Sequence, residues 1–581
     1  MILEKEGTST KTSASLAIKS IQISRTSENV SKMISDVQKH KIHSLPFECA
    51  YRGEGNANLV IAVPYEHKVI RFRKCDTGNY SSDGGLNRVN RERDFIKMVL
   101  SPFLQPYLNV PEILRFDRTE LDEFSKMIYS LRPEQRRFKQ AVEEYATKFP
   151  DHAFLPEFLN CREKVSARNN KSIFCVEIKP KQGFLSKNDQ QFQKCPYCLT
   201  QYHKLEKKSI SRRSGYCPFD LFSGERNRMH RALKGLLQDP QNNFKIFKDG
   251  IVVYDQNSEA NDLNNIFKEW FPNIIESSEN REKKNYLDSF CFLIQEALLR
   301  KFPNENQDLN RNSMAFDINQ DIEVLSRLSS EIVAKAKKML YFTNEECDFT
   351  STDLPHGSVL KQILEMQQLH CCGDDIISWI YSKYSTILDD ELIYSSLINV
   401  YQSRGIIQRS SFFNNYMNSA INDDYYTKND GKKKEMQNSI KDSILLLNRQ
   451  KSHDRNKRRT LENFSVQNNR LLDKLPTDKE IVFVENYLLF CTARDCSILI
   501  AFQEMNPNEY NNINDDYIIQ ISEELKFLTS VRISDLDPKS VHSIEKHCHR
   551  DLQTLKSVIH IIEEELVQGR QIQSTNSIKT H

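Results

Sequence analysis

The chain has 581 residues, of which 39% are hydrophobic and 28% are charged. This composition is typical of a globular protein, and the length allows about three to four domains. The 81 basic and 79 acidic residues nearly cancel. We therefore expect no nucleic-acid binding by the chain as a whole, and any basic site must be local.

The sequence pattern indicates neither a membrane-spanning helix nor a secretory signal. No apolar run approaches the roughly 18 residues that a membrane-spanning helix needs, and residues 1–24 lack the apolar core of a secretory signal. The 14 cysteines are scattered rather than spaced as a disulfide framework, which favours reduced thiols. We expect a monomer of the cytoplasm, the nucleus or both, without a membrane partner.

The first part of the chain predicts a tail followed by strands. Residues 1–46 are polar and predict a mobile tail. A glycine-rich turn at 52–58 separates two strand-like runs, and residues 67–74 alternate apolar and basic side chains, which predicts a hairpin with a glycine-rich tip. Residues 134–148 have a helical period and predict a helix.

The glycine-rich tip can offer backbone N–H groups to phosphates, because glycine lets a ligand approach closely. Gly53 and Gly55 fit this role, with Arg52 before them and Arg71 on the next strand. No Gly-Lys-Ser/Thr follows, so the tip is not a Walker A loop. An ordinary hairpin turn is the alternative.

The segment 175–184 places Glu177, Lys179 and Lys181 two residues apart. Side chains alternate faces in an extended chain, so these three project to one side. Two ammonium groups and one carboxylate suit a polyanion held beside a metal ion or a third cation. An edge strand with a solvated charged face explains the same pattern, and this stretch alone favours that interpretation.

Helices and strands continue up to a polar insertion and beyond it. We predict helices after Pro196, at 227–237 and over 263–386, and a hairpin at 244–254. Residues 405–474 predict a disordered insertion, whose basic runs suit a nuclear-import signal or a linker better than nucleic-acid binding. The last ordered elements are predicted at 478–494, 495–502, 525–533 and 543–566.

Acidic residues near the C-terminus are candidates for chemistry. Asp495 lies between a predicted helix and strand, where a carboxylate can accept a hydroxyl proton or hold a metal ion. A capping or turn aspartate is the commoner explanation. Asp535 and Asp537 lie beside Lys539, and magnesium bound to substrate phosphates typically needs only one or two protein carboxylates. A surface turn is the alternative for that segment.

The pair Cys195-Pro-Tyr-Cys198 invites a zinc site, which needs four ligands. His203, Cys217 and His230 follow it, but a second Cys-x2-Cys pair is missing. An isolated spacing of this kind is a weak signal. We therefore expect no zinc.

Several boxes in one order carry a resemblance to a known family. They are Arg52-Gly-Glu-Gly-Asn-Ala-Asn58, Val69-Ile-Arg71, Arg132-Pro133, Glu177-Ile-Lys-Pro-Lys181, Tyr216-Cys-Pro-Phe-Asp-Leu-Phe-Ser-Gly224, Gln241-Asn-Asn243 and Ala493-Arg-Asp-Cys-Ser497. The series closely resembles the inositol-pentakisphosphate 2-kinase family, in its animal-type form. The zinc-binding insert of plant members has no counterpart between residues 360 and 384, which adds to the expectation of no zinc.

The resemblance implies an α/β (α+β) fold with two kinase-like lobes of the inositol phosphate kinase type. A large, partly disordered insertion would interrupt the C-lobe. The expected divisions are a tail at 1–46, a nucleotide-binding N-lobe at 47–158, the C-lobe at 159–404 and 475–570, the insertion at 405–474 and a tail at 571–581. The reaction implied is transfer of phosphate from ATP, with Mg²⁺, to the 2-hydroxyl of inositol 1,3,4,5,6-pentakisphosphate, giving inositol hexakisphosphate.

The resemblance also assigns roles to residues of this chain. The implied nucleotide-binding residues are Arg52, Gly53, Glu54, Gly55, Asn58 and Arg71, with Asp151 and His152 at the hinge. The implied inositol phosphate ligands are Arg132, Lys179, Lys181, Lys204, Asn243 and Lys539, although Asn243 can instead serve the nucleotide or order its loop. The implied catalytic residues are Asp495, which orients or deprotonates the 2-hydroxyl, and Lys179. The implied Mg²⁺ ligand is Asp535, with Asp495 sharing that role, while Glu177 either touches Mg²⁺ or holds a lysine in place.

Two other functions stay open at this point. One is a non-catalytic protein that keeps the polyphosphate pocket without the chemistry; the other is a nuclear scaffold that uses the basic insertion. The presence of both Asp495 and Asp535 argues against the first.

Overall fold

The computed structural model describes residues 21–22, 41–46, 48–159, 171–272, 286–303, 326–343, 345–402, 475–505 and 513–578. The insertion predicted at 405–474 lies outside them, as does most of the tail predicted at 1–46. The mixed α/β fold class is confirmed, with two sheets and many helices.

The chain forms two compact units. Unit 1 comprises Met1–Arg93 and Asn109–Asp151, and unit 2 comprises Asp94–Leu108 and His152–His581. This division differs from the N-lobe predicted at 47–158, because the first unit ends earlier and lacks an internal segment.

The segment Asp94–Leu108 belongs to unit 2 for a packing reason. Phe95 is fully buried and packs edge-to-face on Tyr394, with 5.1 Å between ring centroids. The buried Tyr107 donates a hydrogen bond of 2.7 Å to the carbonyl of Gly357. Aromatic burial of this size outweighs sequence proximity in deciding which unit a segment joins.

The strands are numbered in chain order as β1 Ile21–Gln22, β2 Ile42–His43, β3 Glu48–Glu54, β4 Asn58–Val63, β5 Lys68–Cys75, β6 Glu112–Phe116, β7 Ala141–Pro150, β8 Ile173–Ile178, β9 Phe244–Lys248, β10 Ile251–Tyr254, β11 Ser497–Glu504, β12 Ile518–Gln520 and β13 Lys526–Ser534. β1 and β2 lie within the stretch predicted as a tail.

The helices are α1 Leu86–Asp94, α2 Ser101–Leu104, α3 Arg118–Ile128, α4 Pro196–Glu206, α5 Pro218–Leu221, α6 Arg226–Gln238, α7 Ala260–Trp270, α8 Tyr286–Leu299, α9 Ser330–Tyr341, α10 Val359–Gln368, α11 Asp374–Tyr384, α12 Asp390–Gln402, α13 Asp478–Asp495 and α14 Ser543–Ile578. Over the described residues, no helix combines the length and apolarity that crossing a bilayer requires.

Unit 1 is built on a seven-stranded sheet in the order β1-β3-β4-β5-β7-β6-β2. The predicted hairpin is present: β3 and β4 are antiparallel and meet at the glycine-rich tip. The core of this unit includes Phe72, whose ring centroid lies 5.3 Å from that of Phe116 and 6.2 Å from that of Phe124.

The helix predicted at 134–148 is wrong. Residues Ala141–Pro150 form β7, and only Glu134–Arg136 make a short helical turn. β7 lies between β5 and β6 and is buried on both faces over most of its length. A strand buried on both faces loses the two-residue alternation that identifies strands in a sequence.

Unit 2 contains a six-stranded sheet in the order β10-β9-β8-β11-β13-β12, in which every neighbouring pair is antiparallel. One face of the sheet packs on Trp270, whose ring stacks on Phe174 with centroids 4.6 Å apart. Phe290 and Phe502 contact the same indole. This aromatic core fixes the central strands β8 and β11, and with them the ends from which functional residues project.

Candidate active site

Three segments of unit 2 converge at one end of its sheet. β8 and β13 both run antiparallel to β11, so they are parallel to each other and end where β11 begins. The register pairs Ile178 with Ile498 and Ser534 with Ser497. The residues that follow β8 and β13, and those that precede β11, must therefore lie together. Sequence positions more than 300 residues apart meet here for this reason.

Lys179 and Asp535 form the first contact at this end. The Lys179 ammonium lies 2.6 Å from Oδ2 of Asp535 and 3.8 Å from Oε1 of Glu177. The Ser497 hydroxyl lies 2.9 Å from the same two carboxylates. Burial alone would lower the pKa of Lys179, but Asp535 and Glu177 raise it above its ordinary value. Lys179 is therefore a permanent cation.

The carboxylate of Glu177 lies close to two lysine ammonium groups. Lys179 lies on one side of it, and Lys245 on the neighbouring strand β9 lies 4.0 Å from its Oε2. This arrangement fits the interpretation in which Glu177 keeps a lysine in place. Lys245 was not a candidate from the sequence, because only the pairing of β8 with β9 brings it opposite Glu177.

Asp495 lies between two lysines. Its carboxylate oxygens are 3.9 Å from the Lys181 ammonium and 3.5 Å from that of Lys539. Partial burial raises the pKa of Asp495, but the charges of Arg494, Lys539 and Lys181 more than offset this and lower it to about 2. The side chain keeps 42% of its surface exposed, so an ionised carboxylate faces solvent at neutral pH.

Two residues of the site have a left-handed backbone. The φ angles are 63° for Lys181 and 60° for Asp535. A non-glycine residue in this region is strained by about 1–3 kcal/mol and persists only where its surroundings hold it. Such residues cluster at functional sites. The left-handed backbone reverses the chain at Lys181 and at Asp535, so that one cation and one carboxylate lie at the end of the sheet.

The turn at Lys181 is held by buried side chains that sequence reasoning did not single out. The fully buried Gln367 donates to the Lys181 carbonyl at 2.9 Å and accepts from the Gly183 N–H at 2.8 Å. The Tyr216 hydroxyl donates to the Pro180 carbonyl at 2.6 Å. Tyr216 belongs to a box of the resemblance, whereas no sequence signal identified Gln367 on α10.

Lys204 and Asn243 lie beside this turn. The Lys204 ammonium donates to Oε1 of Gln241 at 2.7 Å, and burial together with Lys181 lowers its pKa to about 8. The side chain of the buried Asn243 donates from Nδ2 to the Tyr197 hydroxyl at 2.7 Å. The backbone carbonyl of Asn243 accepts from the backbone N–H of Lys179 at 2.9 Å. Asn243 thus orders the predicted site; its own amide does not face solvent.

The glycine-rich tip lies in unit 1. An irregular register between Tyr51 and Gly53 twists β3, and φ of Gly53 is 155°. The Gly55 N–H closes the tip by donating to the Asn58 carbonyl at 2.9 Å. A Cβ added at Gly53 or Gly55 would meet no atom within 4 Å. The space in front of the tip is therefore open, and Arg71 on β5 is placed opposite Val60 of β4.

The two candidates at the hinge fall on either side of the unit boundary. Asp151 closes unit 1, where it is 3.3 Å from the Arg52 guanidinium. His152 opens unit 2, where burial and the charge of Arg532 lower its pKa to about 3. His152 is thus neutral, and its backbone carbonyl lies 3.6 Å from the Cys175 sulfur.

Glu54 and Arg132, which are predicted to contact nucleotide and inositol phosphate, contact each other in the structure. Both side chains are buried in unit 1, where Arg132 donates to the two oxygens of Glu54 at 2.7 and 2.8 Å. Lys74, also buried, donates to Glu54 from the other side. Burial raises the pKa of Glu54, but the two cations bring it below its ordinary value. A buried charge requires partners, and here one carboxylate lies between two cations.

The fourth ligand that the zinc motif seemed to lack is present. The sulfur atoms of Cys195, Cys198, Cys217 and Cys347 all lie within 4.8 Å of one another. A second Cys-x2-Cys pair is still missing from the sequence, but two cysteines far apart in the chain complete a group of four, and the prediction against zinc stays untested. Cys347 is 130 residues beyond Cys217 and carries no motif.

Neither of the two histidines considered as zinc ligands belongs to this cysteine cluster. His203 contacts the Ser557 hydroxyl at 2.9 Å, and His230 lies 3.6 Å from Asp288.

Sequence comparisons give the same result as the motifs. The profile of the family described as inositol-pentakisphosphate 2-kinase matches residues 51–553. The chain is similar to the zebrafish (Danio rerio) protein of that name, with 26% identity over 517 residues that cover 85% of this chain and 89% of the zebrafish protein. It is also similar to proteins of that name from Arabidopsis thaliana, with 26% identity over 41% of this chain and 61% of the relative, and from Drosophila melanogaster, with 23% identity over 39% and 52%.

Proposed function

Because the chain belongs to the inositol-pentakisphosphate 2-kinase family and is therefore a kinase, we propose that it transfers the γ-phosphoryl group of ATP to the 2-hydroxyl of inositol 1,3,4,5,6-pentakisphosphate. The product is inositol hexakisphosphate. One observation carries the proposal: an ionised Asp495 lies between Lys181 and Lys539, at the sheet end where Lys179 contacts Asp535. This combines a proton acceptor with a set of cations.

Asp495 is the group that receives or orients the hydroxyl proton. Its exposed carboxylate is ionised, so it can accept a hydrogen bond from the attacking hydroxyl. Phosphoryl transfer requires little covalent chemistry of the protein, and positioning with charge neutralisation supplies most of the acceleration. The two lysines that flank Asp495 would bind phosphates on either side of the reacting hydroxyl.

The lysines supply the cations that a pentakisphosphate requires. Lys179, Lys181, Lys204 and Lys539 all belong to unit 2 and carry ammonium groups near one sheet end. An ammonium binds phosphate as a point charge from several directions, which suits a ring that carries many phosphates. Arg132, which pairs with Glu54 in unit 1, stays a further candidate ligand.

Asp535 is the residue that would hold Mg²⁺. Its Oδ2 already accepts hydrogen bonds from Lys179 and Ser497. A cation therefore already contacts this carboxylate and neutralises its charge. Magnesium in such sites keeps most of its ligands as water and phosphate oxygens, so one or two carboxylates suffice. When bound, the ion neutralises charge on the transferred phosphate. Asp495 is the second carboxylate of the same sheet end.

The nucleotide-binding part of the proposal rests on unit 1. The open glycine tip, with Arg52 and Arg71 near it, offers backbone N–H groups and positive charge to the phosphates of ATP. We propose that backbone groups of Asp151 and His152 contact the adenine. His152 would serve through its backbone, since its ring is neutral.

The direct test is a product assay. Purified full-length protein is incubated with ATP, Mg²⁺ and inositol 1,3,4,5,6-pentakisphosphate, and the products are resolved by anion exchange. We expect inositol hexakisphosphate to accumulate with one ADP per product. Binding of the pentakisphosphate without any product would overturn the proposal and favour a non-catalytic binder. Product from other inositol phosphates at equal rates would overturn the assigned substrate.

Lys204 predicts a pH dependence of substrate binding. Its pKa of about 8 in the free protein should rise when phosphates bind, so binding takes up a proton. Affinity should be highest below pH 8 and fall by up to about tenfold per unit as the pH rises above 8. The measurement is calorimetric titration at pH 7, 8 and 9. In Lys204→Arg, which stays charged, the extra fall above pH 8 should disappear; an identical pH profile in the two proteins would contradict the assignment.

A further inference from the structure

Arg494 is a half-buried cation that no carboxylate contacts directly. It occupies the last turn of α13, immediately before Asp495. Among the residues that the structure describes, no carboxylate lies within ion-pair distance of its guanidinium. The carbonyl groups at the end of a helix stabilise such a cation in part, but a partly desolvated charge is otherwise expected to have an anionic partner. An anion that arrives from solvent can be that partner.

The contacts that Arg494 does make are with uncharged groups. Its Nη2 lies 3.2 Å from Nδ1 and 3.3 Å from Nε2 of His547, and 3.5 Å from the Cys491 sulfur. Burial, together with the charges of Arg494 and Arg550, lowers the pKa of His547 to about 3. Burial raises the pKa of Cys491 to about 11. At neutral pH these two side chains therefore orient the guanidinium without cancelling its charge.

Two nitrogens of the Arg494 guanidinium are available to a ligand. Nε and Nη1 donate no hydrogen bond to the described residues, and neither atom is sealed from solvent. The central carbon of the group lies over the Phe490 ring, 5.0 Å from its centroid, and this contact restricts the plane of the guanidinium. Adjacent N–H donors in one plane match two oxygens of a phosphate.

The charge of Arg494 acts on the proposed active site. Burial would raise the pKa of Asp495, and Arg494 is the strongest of the neighbouring charges that lower it. Burial lowers the pKa of Lys181, and the charges of Lys179 and Arg494 lower it further, although Asp495 opposes them. Arg494 is therefore close enough to act on an anion bound between Lys181 and Lys539.

We propose that Arg494 is a further ligand of the inositol polyphosphate and donates from Nε and Nη1 to one phosphate beside the reacting hydroxyl. The inference rests on the proposed function, because it assigns this cation to the same substrate. The bound phosphate supplies the negative charge that the free protein does not place against the guanidinium. His547 and Phe490 are positioning residues, since they hold the guanidinium without touching the substrate.

The test compares two substitutions of Arg494 in full-length protein, by calorimetric titration with inositol 1,3,4,5,6-pentakisphosphate. Arg494→Met keeps a long side chain without the charge and should weaken binding by about 10- to 100-fold, as expected for the loss of a charge-assisted hydrogen bond. Arg494→Lys keeps the charge without the planar fork and should lose about threefold. The matched control is Arg226→Met, at an arginine that also lies over a phenylalanine ring, Phe292, but is paired with Glu296. It should bind as the wild type does, and ATP affinity should be unchanged in all three variants.

A second titration separates direct contact from a structural role of Arg494. It uses the inositol tetrakisphosphates that each lack one phosphate of the substrate. The effect of Arg494→Met should disappear for the analogue without the contacted phosphate, because both partners of one pair are then absent. If Arg494→Met does not fold, Arg494→Lys undergoes the same comparison.

An equal effect of the substitution on every analogue would overturn the contact. Wild-type affinity in Arg494→Met would also overturn it, while product formation by the wild type would leave the proposed function intact. If the wild type binds no pentakisphosphate, the proposed function fails and the role of Arg494 fails with it.

Discussion

Asp495→Asn is expected to lower kcat by about 10²–10⁴-fold, the range that a general base contributes, while the affinity for inositol pentakisphosphate changes little. Asparagine keeps the size and hydrogen-bonding ability of the side chain but cannot accept the proton. Because the pKa of Asp495 is about 2 in the free protein, its carboxylate stays ionised over any practical assay range. The measurement is single-turnover formation of product, resolved by anion exchange, beside calorimetric binding of the substrate.

The control for this experiment is Asp353→Asn, because the Asp353 side chain is 90% exposed and belongs to the same unit. It should keep wild-type turnover. Without the negative charge of Asp495, the charges of Lys181 and Lys539 are no longer partly neutralised by it. The affinity for the anionic substrate should therefore stay equal or rise slightly. Turnover within tenfold of wild type in Asp495→Asn would exclude the proposed role.

Lys179→Ala is expected to weaken pentakisphosphate binding by about 10- to 100-fold, in line with the loss of one charge-assisted hydrogen bond. The variant also leaves Glu177 and Asp535 without the cation between them, so two carboxylates would face an incoming polyanion. Both effects are electrostatic. The affinity difference between wild type and variant should therefore shrink as salt is raised from about 50 mM to 500 mM, where charges are screened over a few ångströms.

The matched variant is Lys335→Ala, which removes a lysine with 51% of its side chain exposed from an ion pair with Glu563. It should bind substrate as the wild type does at every salt concentration. A loss of affinity in Lys179→Ala that does not depend on salt, together with a lowered melting temperature, would indicate misfolding and contradict a direct phosphate contact. Lys179→Arg should restore much of the affinity, because it restores the charge.

Several elements could be predicted because their signals are local. The hairpin predicted at 244–254 turns at Asp249-Gly250, and the helix predicted at 478–494 corresponds to α13; both depend on residues close together in the chain. The alternation of Glu177, Lys179 and Lys181 is equally local, but the extended edge strand that it favoured is wrong. β8 ends at Ile178 and lies inside the sheet between β9 and β11, and Lys181 has a left-handed backbone. The helix wrongly predicted at 134–148 shows the limit of this reasoning, since pairing on both sides of β7 overrode its periodicity.

The sequence by itself determined which family the chain belongs to and which residues we propose for the chemistry, because these lie in short boxes whose order is distinctive. Only the tertiary structure decided which of those residues meet. Antiparallel pairing of β8, β11 and β13 brings Lys179 to Asp535, and burial unites Glu54 with Arg132 away from solvent. The cysteine cluster shows the same limit, since its fourth cysteine, Cys347, has no local signal and is identified only by its distance to the three others. Contacts between distant segments depend on strand register and core packing, which local patterns do not encode.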